Sequence, residues 1–317
     1  MQESYLNKRP NNFDDEIDIK EFFYVLLEGK WIIFSVTAFV SIIGVIYSLL
    51  LPNIYESKAV LVPVNPSSNI SGAIGNYSSL AGLAGINLSP DGDEGNSKKA
   101  MKKLGSLSFF ENNILKNIFL PNLMAVKSWN PQINILAYDE NIYKINTNTW
   151  VRKYSYPQKQ IPSAQESFRA YKKKYLSISE DKISGFITIS IKHQSPFVAK
   201  EWVELIVNEI NMFYREKDRS KSEKAVGYLN ERISMTGLSE IKQVMAQLLQ
   251  EETKKLTLIE ANQYYVFDYI DPPAVMEKKS EPTRSLICIL SAFLGAMLGI
   301  IYVLIKHNIM KTRSSQV

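Results

Sequence analysis

The sequence predicts an α+β fold: two transmembrane helices bracket one exported domain, which holds a small mixed sheet near the membrane and a long extended helix. Three observations predict it. Residues 31–51 and 286–305 are apolar runs without Asp, Glu, Lys or Arg. Each is about 20 residues, enough to cross a hydrocarbon core of about 30 Å as a helix. Residues 55–64 and 185–193 carry the two-residue alternation of strands. Residues 195 to about 262 carry helical periodicity almost throughout.

The first element is a tail, residues 1–30, containing Lys8, Arg9, Lys20 and Lys30. The span at 31–51 differs from a cleaved signal because thirty residues precede it and it ends in Leu50, Leu51 and Pro52, with no small-residue cleavage site. The length of both spans and their lack of charge argue against buried helices of a soluble protein. After the second span, the tail at 306–317 carries Lys306, His307, Lys311 and Arg313. Basic residues collect on the cytoplasmic side, so both termini are expected there, although Lys58, Lys278 and Lys279 lie on the far side. Residues 52–285 then form the exported domain. The only cysteine, Cys288, lies in the second span, so no internal disulfide staples that domain, which is long enough to build its own core. The formal net charge of +5 gives no reason to expect a nucleic-acid partner.

Within the domain, Val-rich residues 55–64 form a first strand. Residues 65–95 are rich in Gly and Ser and read as a loop, with Leu80, Leu83, Ile86 and Leu88 interleaved and an acidic turn at Asp91-Gly-Asp-Glu-Gly95. Residues 98–119 have helical spacing at Met101, Leu104, Leu107, Phe110, Ile114 and Ile118, before Pro121 and Pro131 interrupt. Residues 133–162 read as irregular or short-strand structure. A short helix follows at 165–175, then a hairpin at 175–179 and 185–193, with Ile187, Ile189 and Ile191 on one face. Ser195 is a good helix cap and Pro196 suits the first helical position. The helix they open has an apolar stripe from Val198 to Phe213, then a densely charged stretch at 215–233. Gly227 and Gly237 are its natural bends. A last strand at 264–270 leads through Pro272, Pro273 and Pro282 back to the second span, and is expected to pair with the first strand.

Recognisable catalytic chemistry is missing from this sequence. It has no Gly-x-x-x-x-Gly-Lys-Ser/Thr phosphate loop and no Gly-x-Ser-x-Gly elbow. Its two histidines, His193 and His307, exclude a multi-histidine metal site, so neither metal nor cofactor is expected. Asp268 and Asp271 have the chemistry to flank a sugar, but their place beside prolines favours a turn. The run Tyr171-Lys-Lys-Lys-Tyr175 suits either anionic lipid or glycan, or a solvated helix face. Trp129, Trp150 and nearby tyrosines suit sugar stacking or internal packing equally. One pattern does carry a mechanism. Ser291, Gly295 and Gly299 recur every four residues in the second span, with Gly44 and Ser48 a shorter version in the first. Small residues on one face let another membrane helix approach closely, so these five are the expected helix-contact positions.

Several segments resemble the Wzz-type polysaccharide chain-length determinants, the polysaccharide co-polymerases. They are Ile17-Asp-Ile19 through Gly29-Lys-Trp31 before the first span, Pro52-Asn-Ile-Tyr55 after it, and the small-residue segment at 79–86. The most specific are Asp271-Pro-Pro273 and Glu281-Pro-Thr-Arg-Ser-Leu-Ile287 before the second span. Pro282 and Arg284 match a Pro-Lys-Arg typical of that family, and Thr283 replaces its lysine. The resemblance implies a bacterial inner-membrane protein with a periplasmic domain that assembles into a homo-oligomeric ring or bell. It implies no catalytic residues. The implied role is to set how many repeat units a Wzy-type polymerase joins into an O-antigen-type glycan, with the lipid-linked glycan a further candidate partner. Some relatives fuse a cytoplasmic tyrosine kinase; the chain through Val317 has none, so it resembles the kinase-free class. The alternative is a capsule or exopolysaccharide export co-polymerase whose tyrosine kinase is a separate chain.

Overall fold

The computed structural model describes residues 19–64 and 94–314. Of the loop and acidic turn read at 65–95, residues 65–93 lie outside the described residues, as do the family-like segment at 79–86 and the tail positions 1–18 and 315–317, while Glu94 and Gly95 begin a helix instead of closing a turn. The chain runs through helices α1 (Ile19–Glu28) and α2 (Lys30–Leu50), strand β1 (Tyr55–Pro63), helix α3 (Glu94–Leu104) and the short helix α4 (Leu107–Phe109), which continues as a π-helical turn (Phe110–Ile114). Next come α5 (Leu120–Met124) and two small hairpins, β2 (Val126–Asn130) with β3 (Ile135–Tyr138) and β4 (Tyr143–Lys144) with β5 (Thr149–Trp150). Helix α6 (Ala164–Ala170) runs into a second π-helical turn (Tyr171–Tyr175), followed by β6 (Leu176–Glu180) and β7 (Ile187–His193). Helices α7 (Pro196–Met235) and α8 (Ser239–Ala261), strand β8 (Phe267–Asp271) and helix α9 (Arg284–Ser314) complete it. Contacts divide the chain into two units: Asn53–Ser280, which is α+β, and the helical unit formed by the two ends.

The main sheet of the α+β unit has the order β6-β7-β1-β8. First and last strands pair as expected, Leu61 opposite Tyr269 and Pro63 opposite Phe267. The sheet is not mixed, however; all three ladders are antiparallel. Strands β7 and β8 do run in the same direction, but β1 lies between them, so no parallel pair forms. The alternation read in β7 is realised, with Ile187, Ile189 and Ile191 fully buried. They face Ala199, Trp202, Val203 and Ile206 of α7, and Phe109, Phe110 and Tyr171 extend this core. Ser195 caps α7 as its spacing implied, accepting from the Val198 amide.

Two helix predictions need correction. The pattern at 98–119 is interrupted because Ser106 caps a new helix, its Oγ accepting from Phe109 N and donating to Lys103 O. A serine that offers the backbone a local partner competes with continuous helix. The long helix at 195–262 is two antiparallel helices, α7 and α8. Helix α7 is 40 residues, about 60 Å at about 1.5 Å per residue, and runs unbroken through Gly227. The chain reverses at Thr236-Gly237-Leu238. Thr236 Oγ1 lies 3.9 Å from Met245 Sδ near the reversal, and Arg219 pairs with Glu260 at 3.2 Å farther down. At the base, Arg215 Nη2 donates to the carbonyls of Asn262 and Gln263. The distal part of α7, from about residue 216, and α8 are largely polar because they share a narrow seam and leave their other faces in solvent.

His193 is a structural pin. Its Nε2 donates to Asn122 O at 3.0 Å, its Nδ1 accepts from Ser195 N at 2.9 Å, and its ring stacks on Tyr175. Tyr175 in turn donates to Leu123 O, and burial pushes its hydroxyl up to about 12. The pair therefore clamps α5 onto the end of β7. Burial holds the imidazole below its ordinary range. A folded value below the unfolded one favours the native state fully above about pH 6.5, and that contribution is lost as pH falls toward the folded value. The urea midpoint of the purified protein, followed through Trp202, is therefore expected to fall between pH 7.5 and 5.5, and His193→Gln is expected to flatten that slope.

Candidate functional site

The helical unit places all five small residues predicted in the spans. Helices α2 and α9 pack antiparallel along most of their length, and the small residues form the seam. A Cβ added to Gly295 would stand 2.9 Å from Thr37 Cα; one added to Gly299 would stand 2.9 Å from Ile33 Cα. Gly44 meets the Ser291 side chain, and Gly29 meets Val303. Ser48 is buried, and its hydroxyl has no hydrogen-bond partner among the described residues. Other hydroxyls bond within their own helix: Thr37 Oγ1 donates to Ile33 O at 2.7 Å, and Ser291 Oγ to Cys288 O at 2.9 Å. Much of the remaining surface of both helices, including Phe34, Phe39, Ile42, Leu290 and Phe293, is exposed. Core helices of a soluble protein would be covered; these are two apolar helices that suit a bilayer. The tails are more helical than their polarity suggested. Helix α1 occupies part of the stretch before the first span, and α9 runs from Arg284 to Ser314, beyond the predicted 286–305. Pro282 precedes α9, and Arg284 is its first residue.

In the α+β unit, the three lysines of Tyr171-Lys-Lys-Lys-Tyr175 are exposed while Tyr171 is buried, which is the solvated-face arrangement. Trp129 packs edge-on against Tyr55 and beside Phe197. Asp268 accepts from the Tyr269 amide. Among the described residues, no three His, Cys, Asp or Glu side chains converge to hold a metal.

Two polar knots escaped the sequence reading. Asn211, nearly buried on α7, accepts through Oδ1 from the amides of Tyr265, Val266 and Phe267 at 3.1, 2.7 and 3.0 Å. Its Nδ2 donates to Val207 O and Phe267 O. Arg152 joins the other knot. It grips the Glu166 carboxylate with Nη1 and Nη2, and donates from Nε to Gln160 O at 2.9 Å and from Nη2 to Lys159 O at 2.6 Å. The Arg152 guanidinium holds the Glu166 carboxyl below the usual carboxylate range. Neither knot has a sequence signal, since each joins residues that only the fold brings together.

Residues 15–103 match the family model described as "Chain length determinant protein", Wzz. Residues 15–103 therefore carry a Wzz chain-length-determinant domain. The match takes in α2 and β1, so the first apolar helix and the strand after it lie within the Wzz-matched segment. Residues 239–308, from α8 through most of α9, match a second model, GNVR, described as "G-rich domain on putative tyrosine kinase". A comparison with curated proteins returns no match. Among solved structures, one described as a full-length bacterial polysaccharide co-polymerase aligns over 94% of this chain and 99% of its own, at 12% identity and a TM-score of 0.41. A fragment of WzzB, a polysaccharide co-polymerase from Salmonella Typhimurium, aligns over 72% of this chain and 100% of its own, at 12% identity and a TM-score of 0.30. The Wzz assignment of residues 15–103 rests on the sequence match alone.

Proposed function

We propose that this chain is a Wzz-type, non-enzymatic, oligomeric regulator of surface-polysaccharide length that acts with a Wzy-type polymerase on an O-antigen-type glycan. The observation that carries this reading is the Wzz match across the first apolar helix and β1. The reading places the chain in a bacterial inner membrane, with residues 52–285 periplasmic and both termini cytoplasmic. Subunits pack side by side as a ring or bell. The exposed mixed charges of the distal α7 and α8 support this, because complementary faces favour one register. The seam of Ser291, Gly295, Gly299, Gly44 and Ser48 holds the two spans as one block, whose outer surface meets the polymerase. Pro282 and Arg284 set the approach of the chain to the second span. Deleting the gene is expected to change the modal length in a gel ladder of the cell's lipopolysaccharide, and an unchanged ladder would refute the reading.

The GNVR match favours a second reading: an export co-polymerase for capsule or exopolysaccharide, partnered with a tyrosine kinase on a separate chain. Its expected signature is loss of capsule or exopolysaccharide on deletion, with the lipopolysaccharide ladder unchanged.

A further inference from the structure

The β4–β5 hairpin and the segment after it form an open cleft of about 820 Å³, lined by Trp150, Lys144, Arg152, Lys153, Glu140 and Asn141 among others. That volume lies within the range of about 300–1,000 Å³ usual for ligand clefts. Trp150 is half-buried and braced by Tyr143, with ring centroids 5.1 Å apart, so its position is fixed. Beyond it, residues 151–163 have no regular secondary structure. They nevertheless present Tyr154 at 55% and Tyr156 at 97% exposure. The segment is tied at its base by the Arg152 knot and by Gln160, whose Nε2 donates to Trp150 O at 2.6 Å. These exposed tyrosines sit on a segment tied together at its two ends, so less backbone freedom is lost when a partner binds.

The charges indicate the partner's chemistry. Arg152 is already neutralised by Glu166 and serves the scaffold. Lys144 and Lys153 line the cleft from exposed positions, and Lys159 lies on the same segment, also exposed. Glu140 is the one acid in the lining. Nearby Asp139 is turned to the amide and side chain of Asn141. Ammonium groups lining a cleft with a half-buried indole, followed in sequence by two presented phenols, suit a chain of sugar rings that carries carboxylates. The flat ring faces stack on aromatics while the acids meet the lysines.

We infer that this cleft, together with the exposed tyrosines that follow it in sequence, binds an acidic glycan segment, one bearing uronic-acid carboxylates. The inference rests on the glycan-handling reading above. It assigns to residues 140–162 a contact with the polymer that the family match does not cover.

The test uses the full chain in detergent, titrated with polygalacturonate oligomers and followed by tryptophan fluorescence, with dextran as the neutral control. Polygalacturonate is expected to bind and dextran not. Lys144→Gln with Lys153→Gln, both exposed, is expected to weaken binding about tenfold or more, and Tyr154→Ala with Tyr156→Ala by a similar factor. Urea midpoints should stay unchanged in both double variants. Absent binding, equal binding of dextran, or binding indifferent to both double variants would overturn the inference. The polysaccharide ladder separates this from the broader reading. A ladder that responds to gene deletion while the purified protein ignores polygalacturonate removes the cleft alone. A ladder indifferent to deletion removes the chain-length function.

Discussion

Asn211→Ala is expected to be among the most destabilising single changes in the α+β unit, although the residue is one polar side chain on an apolar stripe. Its Oδ1 accepts from three consecutive backbone amides where the chain turns from α8 into β8, and its Nδ2 donates to two carbonyls. Removing the side chain strands three buried donors, each costing about 1–3 kcal/mol, so a total loss of about 3–9 kcal/mol is expected. Asn211→Asp keeps an oxygen facing the amides but sets a carboxylate against two carbonyls, and should fall between alanine and the native residue. Urea unfolding of the purified protein, followed by Trp202 fluorescence, measures both variants. An alanine variant with a native midpoint would show that the turn into β8 holds without the side chain.

Replacing Gly295 and Gly299 together by Leu is expected to force α2 and α9 apart. At both positions even a Cβ would stand 2.9 Å from a backbone Cα of α2, and backbone cannot give way as a flexible side chain can. The pair must open toward the spacing of about 8–10 Å that ordinary side chains require. Overpacking of this kind costs about 1–3 kcal/mol where no relaxation absorbs it. Spin labels on the two helices in a reconstituted bilayer should report the increase, while the urea midpoint of the α+β unit stays native. On the proposed function, the polysaccharide ladder shifts as well. An unchanged helix spacing would refute the packing argument, and an opened pair with unchanged polysaccharide lengths would reduce the spans to tethers.

Local information carried much of this structure. The two spans, the Ile187-Ile189-Ile191 face, the Ser195-Pro196 helix start and the pairing of first and last strands could all be read from residue type and period. The small residues could also be read, because four-residue spacing is a property of one helix. The sequence left open what lay opposite them, and the structure supplies α2 of the same chain. The helical hairpin was misread as one helix because the distal half of α7 and α8 are each polar enough to stand in water, and Gly237 marks either a bend or a reversal. The split at Ser106 was missed because a serine inside a helical pattern is tolerated as readily as it is used for a cap.

The sequence by itself therefore determined what each segment is: which stretches are apolar enough to leave water, which alternate, and where helices start. The tertiary structure alone decided which segments meet. It set β1 between β7 and β8 and so made every ladder antiparallel, seated Asn211 beneath three amides from beyond α8, and locked Arg152 onto Glu166 to hold a tyrosine-bearing segment in place. The physical reason is that burial preference and helical or strand period are written within a few neighbouring residues. A hydrogen bond between Asn211 and Val266, 55 positions apart, exists only once packing has placed both groups in the same dry site.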